Sequence, residues 1–163
     1  MLKFALSLAL LMPVVASATP ADDLLKEGMS NDPVFAAAKP DCKKAFELYK
    51  RAAEAGSTEA MYRVYEAYRT PSDRPDNPTA ENKYGVVPDP IEAYAWISLA
   101  CDYCEDSRMK AYTEAKTVAD WQIRYYELKK ANNAPVPAES AYAASATKKY
   151  KALKAKMDEK LKK

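Results

Sequence analysis

Apolar positions along this chain recur at spacings of three and four, the period of a helix with one face turned inward. Between 41 and 55, Ala45, Leu48, Tyr49 and Ala52 share a face. Between 58 and 68, Met61, Val64, Tyr65 and Tyr68 line one side, with Tyr62 beside them. Between 89 and 101 the stripe is Ala93, Trp96 and Ala100, with Ile97 near its edge. A longer helix is expected over 106–131. It carries one stripe of Met109, Tyr112, Ala119, Ile123 and Tyr126 and a second of Val118, Trp121, Tyr125 and Leu128. A helix apolar on two faces is expected to be sandwiched between neighbours. A last helix over 139–163 sets Tyr142, Ala146, Tyr150, Leu153, Met157 and Leu161 against a lysine-rich face. A short first helix is expected over 20–29, with Asp22 and Asp23 at its positive end. Strand-like alternation is absent, so the expected fold class is all-α.

Two of these segments are copies. Residues 40–56 (PDCKKAFELYKRAAEAG) align without a gap on residues 88–104 (PDPIEAYAWISLACDYC), 48 positions on. Asp41 falls on Asp89, Ala45 on Ala93, Phe46 on Tyr94 and Ala52 on Ala100. The start of each copy reads as a cap, because an aspartate side chain accepts the free N–H groups of the first turn. Pro90 suits the first helical position, and Glu92 stands where a capping box would return a bond to the cap. The first copy ends in Gly56, which can take the left-handed conformation that closes a helix. The second has Cys104 in its place. A repeat of this period points to stacked helical hairpins.

The pattern resembles the Sel1-like repeat, a relative of the tetratricopeptide repeat. That family reads A-x3-L-G-x2-Y for its first helix and G-V-x2-D-x3-A-x2-W-x3-A-A-x2-G through the turn and second helix. Ala60, Val64 and Tyr68 stand at positions of the first, and Gly85, Val86, Asp89, Ala93, Trp96 and Ala100 match the second. The earlier copy supplies Asp41, Ala45, Leu48, Ala52, Ala53 and Gly56. Three departures stand out. Tyr65 replaces the glycine of the first helix, Cys101 and Cys104 replace the closing alanine and glycine, and the connection over 69–84 is long. The resemblance implies an α/α helical-hairpin solenoid with a C-terminal capping helix.

The flanks set the domain organisation. Residues 1–18 read as a signal peptide: Lys3, an apolar run broken by Pro13, and the small-x-small site Ala16-Ser17-Ala18. The repeat domain is then expected over 19–131, a linker over 132–138 and a basic amphipathic helix over 139–163. Export would place the protein in the periplasm or outside the cell. The full chain has 25 basic and 23 acidic residues, and removal of Lys3 leaves it nearly neutral. That gives no argument for nucleic acid. Contact of the basic last helix with an anionic membrane is the sharper reading of its lysines, but Asp158 and Glu159 interrupt the charge.

The chain has no histidine. The usual general base and the usual zinc ligand are therefore missing, and no catalytic residue, metal site or cofactor is expected. Cys101-Asp-Tyr-Cys104 has the CxxC spacing but lies at a helix C-terminus, where the dipole raises a thiol pKa rather than lowering it. In an oxidising compartment the expectation is a structural Cys101–Cys104 disulfide, closing only if the last helical turn loosens, with Cys42 left unpaired.

The family resemblance implies an adaptor that binds another protein. The candidate contacts are Tyr62, Tyr65 and Arg69, residue types enriched where interfaces gain most energy. Some cysteine-rich relatives have been linked to penicillin binding and β-lactam hydrolysis, which makes a cell-wall-related enzyme the alternative.

Overall fold

The computed structural model describes residues 19–36, 39–69, 81–130 and 141–162. The expected signal peptide, the linker over 132–138 and most of the 69–84 connection lie outside the described residues. Among those described, the regular structure is six α-helices and no strand. They are α1 (Pro20–Asn31), α2 (Cys42–Glu54), α3 (Thr58–Tyr68), α4 (Pro90–Tyr103), α5 (Asp106–Lys130) and α6 (Ala141–Leu161).

Local chemistry sets the helix ends. Thr19 and Asp22 form a reciprocal capping box at α1. Asp41 caps α2 through the Lys44 N–H, and Ser57 caps α3 through that of Ala60. Asp89 accepts from both Ile91 and Glu92 at α4. Between α2 and α3, the Ser57 N–H reaches the Ala52 carbonyl and the Gly56 N–H that of Ala53. This is a Schellman ending, and Gly56 supplies its positive φ of 106°.

Contacts along the helices give their directions. The start of α2 meets the end of α1, where Lys44 pairs with Glu27 at 3.0 Å. From α3 to α5 the contacts climb in step: Glu59 with Arg108, Tyr62 with Tyr112, Tyr65 with the Ala115 carbonyl. These two helices are therefore parallel. From α4 to α6 they also climb together, Glu92 with Lys149 and Tyr103 with Lys154 and Asp158. Lys43 of α2 lies beside Gly85, just ahead of α4, and Lys160 of α6 donates to the Glu54 carbonyl at the end of α2. The result is two layers, α1, α3 and α5 in one and α2, α4 and α6 in the other. Each helix runs antiparallel to those of the opposite layer.

The core lies between the layers. Ala45, Ala52, Ala53, Ala60, Ala93 and Ala100 are fully buried and let backbones approach, while Tyr49, Tyr65, Met61, Ile97 and Trp96 fill the space. Trp96 is 2% exposed. Glu92 does not return a bond to its cap. The Asp89 N–H is already committed to the Tyr68 carbonyl at 2.9 Å, and the Glu92 carboxylate accepts instead from the Trp96 indole at 3.2 Å.

The second stripe of α5 is not sandwiched. Trp121 is 63% exposed, and Val118 is exposed beside it. The reason is length. Helix α5 has 25 residues and α4 has 14, about 37 and 21 Å at the helical rise. Lys116 sits over the Tyr94 ring, so α5 passes the start of α4 about one turn later. Beyond that point α4 covers nothing. The overhanging end does meet α6, whose first N–H groups, from Tyr142 and Ala143, donate to the buried Glu127 carboxylate at 3.1 Å each. On α6, Ala146 and Met157 are buried, while Leu161, expected on the apolar face, is exposed.

Candidate interaction face

Helix α3 carries tyrosines three apart, a step that turns each by only about 60° from the last, so the row of Tyr62, Tyr65 and Tyr68 drifts slowly around the helix. Tyr65 points into the core and is 1% exposed, with its hydroxyl donating to the Ala115 carbonyl at 3.3 Å. The side chain that stands where the Sel1-like pattern has glycine therefore wedges α3 against α5 and is core rather than free surface. Its phenol is pushed up to about 12, chiefly by burial. Tyr68 meets Phe46 edge-on at 5.7 Å, and burial raises it to about 12 as well.

Tyr62 lies nearer the surface. It stacks on Tyr112 with centroids 5.2 Å apart and planes 12° from parallel. Arg63 holds Glu59 at 2.7 Å and places its guanidinium 4.9 Å over the Phe35 ring. Phe35 is 41% exposed, with Val34 exposed next to it. Arg69 is half-buried at the end of α3, with its Nε 3.3 Å from Glu66. The structure thus brings Tyr62 to an aromatic–arginine face formed by α3, α5 and the segment after α1. Arg69 stands at one end of that face, and Tyr65 lies beneath it.

A second polar centre has no signal in the hydrophobic pattern. Asp32, at the end of α1, is 1% exposed. One carboxylate oxygen accepts from the Tyr49 hydroxyl at 3.0 Å and the Tyr84 hydroxyl at 2.7 Å. The other accepts from the Val34 N–H at 3.0 Å and lies 3.6 Å from the Lys83 ammonium. Burial pushes the Asp32 pKa up, but these partners together bring it below the ordinary value. Both phenols are raised, first by burial and then by the carboxylate itself. This centre ties α1, α2 and the far end of the long connection together. That end is shaped by Asn82, which donates to the Ala67 carbonyl at 2.6 Å, and by Gly85 at a φ of 70°. Gly28 belongs to the same region: a Cβ there would come within 2.8 Å of the Tyr49 ring.

The expected Cys101–Cys104 disulfide is not formed, and all three cysteines are free thiols. Helix α4 stays helical through Tyr103, so the turn that had to loosen does not. The Cys104 sulfur lies 3.5 Å from the Cys101 carbonyl and 3.9 Å from the Met109 sulfur. Both thiols titrate above their ordinary value, with burial as the first cause.

Among the described residues, no three His, Cys, Asp or Glu side chains converge to hold a metal ion, and no helix is long and apolar enough to cross a membrane. No protein-family model, curated protein or solved structure matches this chain.

Proposed function

We propose that this chain is an exported adaptor built from Sel1-like helical hairpins, and that it binds another protein on the face around Tyr62 and Arg69. The repeat reading is supported by the equivalence of α2 and α4. Both start on a capping aspartate, both run in the same direction, and the aligned pairs Ala45 and Ala93, Leu48 and Trp96, Ala52 and Ala100 are all buried. The observation that carries the binding reading is the surface cluster of exposed Phe35 and part-buried Arg63 and Tyr62, the last backed by the buried Tyr112 ring. Aromatic and arginine side chains gathered at a surface are the residue types that dominate interface energies.

The test is capture of a partner by the mature chain from the exported fraction, followed by affinity measurements on folded variants. Tyr62→Ala and Arg69→Ala are each expected to weaken binding by at least about 2 kcal/mol, roughly thirtyfold. Phe35→Ala keeps the test open if loss of the Tyr62–Tyr112 stack disturbs α3. Parent-like affinity in all three variants would place the interface elsewhere.

A further inference from the structure

We propose that the corner between α4 and α5 is a binding site for a soft monovalent metal ion, Cu(I), held by the sulfurs of Cys101, Cys104 and Met109. Cys104 is the last residue of the corner on the α4 side, with extended backbone, and Met109 stands in the first turn of α5. Their sulfurs are 3.9 Å apart. Two sulfurs bound to one ion at about 2.3 Å, with a trigonal angle between them, are ~4.0 Å apart. The pair is already spaced to share an ion.

Cys101 is one turn back on α4, at the i and i+3 relation that puts two side chains on one face. It packs, like Cys104, against the edge of the core. The two thiols also feel each other, because charge on Cys104 raises the Cys101 pKa. Thiolate and thioether donors select Cu(I), whereas calcium and magnesium require oxygen cages. Asp102 and Asp106 favour a cation nearby, while Lys116 and Arg108 oppose it. Each thiol retains its proton in the free protein, so loading releases a proton per cysteine and weakens as pH falls.

The proposal is tested by anaerobic competition between the reduced full chain and a chromogenic Cu(I) chelator, with circular dichroism to verify the fold of each variant. The parent is expected to withhold one equivalent of Cu(I). C104S should lose stoichiometric competition, and C101S and M109L should each weaken it by about tenfold or more, ~1.4 kcal/mol. C42S should compete like the parent. Failure of the parent to compete overturns the site, and so does parent-like competition by C104S. Should C104S disturb the corner, M109L decides, since leucine keeps the volume and removes only the sulfur. Parent-like competition by M109L, or loss of competition in C42S, also overturns the assignment.

Discussion

Helices α2 and α4 are two readings of one pattern, and their surroundings differ. α2 packs between α1 and α3 and turns Lys43, Lys44 and Arg51 to solvent. α4 is packed by α3, α5 and α6, and buries Ala95, Ile97, Ser98 and Leu99 as well as the repeated positions. The repeated residues set the inner face. The residues between them record how many neighbours the helix has. The ends differ for a related reason. After Gly56 the chain must reverse within three residues and still satisfy two carbonyls, which needs a positive φ. At Cys104 the backbone is extended, with φ of −76° and ψ of 156°, a conformation open to any residue.

The sharpest way to break the equivalence is at its largest side chain. Trp96→Ala removes a buried indole between α4 and α6 and strands the Glu92 carboxylate that accepts its N–H. The expected loss is about 3–5 kcal/mol, read as a fall in the urea midpoint. Leu48→Ala, at the equivalent place on α2, is expected to cost less, about 2–3 kcal/mol, because it leaves no polar partner behind. A larger loss at Leu48 than at Trp96 would reverse the ranking of the two copies.

Asp32 tests what holds the α2 side. Asp32→Ala strands the Tyr49 and Tyr84 hydroxyls. Two charge-assisted bonds at the low end of ~1.5 kcal/mol each put the cost at about 3 kcal/mol. The folded-state pKa of Asp32 lies below its ordinary value. Its contribution is therefore fully present above the unfolded carboxylate pKa of about 3.9 and is lost as pH falls through the folded value. The stability gap between the parent and Asp32→Ala should stay constant from neutral pH to about pH 5 and narrow below about pH 4. A gap that widens on acidification would mean that the carboxylate is not the group the tyrosines hold.

These residues also show what the linear pattern carries. The period placed α3 at 58–68, the span it occupies, and ran α4 to 101, two residues short of its end at Tyr103. Caps were legible at Asp41 and Asp89 because each acts on neighbours three residues away or fewer. Asp32 was not, because its partners stand 17 and 52 residues along the chain and an Asp-Pro pair reads only as a turn. Tyr65 was legible as an anomaly, but its destination against Ala115 is 50 residues away. The second stripe of α5 had the right period and the wrong burial, since periodicity does not say that a helix outruns its neighbour. The thiol pair had the right spacing, but whether the helix loosens at Tyr103 is decided by packing rather than by spacing.

The smallest effects sharpen the comparison at the two helix ends. Gly56→Ala forces a Cβ into a positive φ of 106°, so it should cost about 1–2 kcal/mol although nothing lies closer than 3.7 Å to the added atom. The reciprocal change, Cys104→Gly, restores the residue that the repeat pattern prefers at this position. It should nevertheless destabilise the metal-free protein, by about 0.5–1 kcal/mol or somewhat more, because the extended backbone there needs no glycine, while the substitution adds freedom to the unfolded chain and removes a side chain packed at the core edge. The two midpoints, measured in the same urea series, therefore both fall, and that of Gly56→Ala falls further. A gain of stability in Cys104→Gly would mean that the second copy closes with a left-handed residue as the first does, and that the extended corner between α4 and α5 is not the conformation the chain holds in solution.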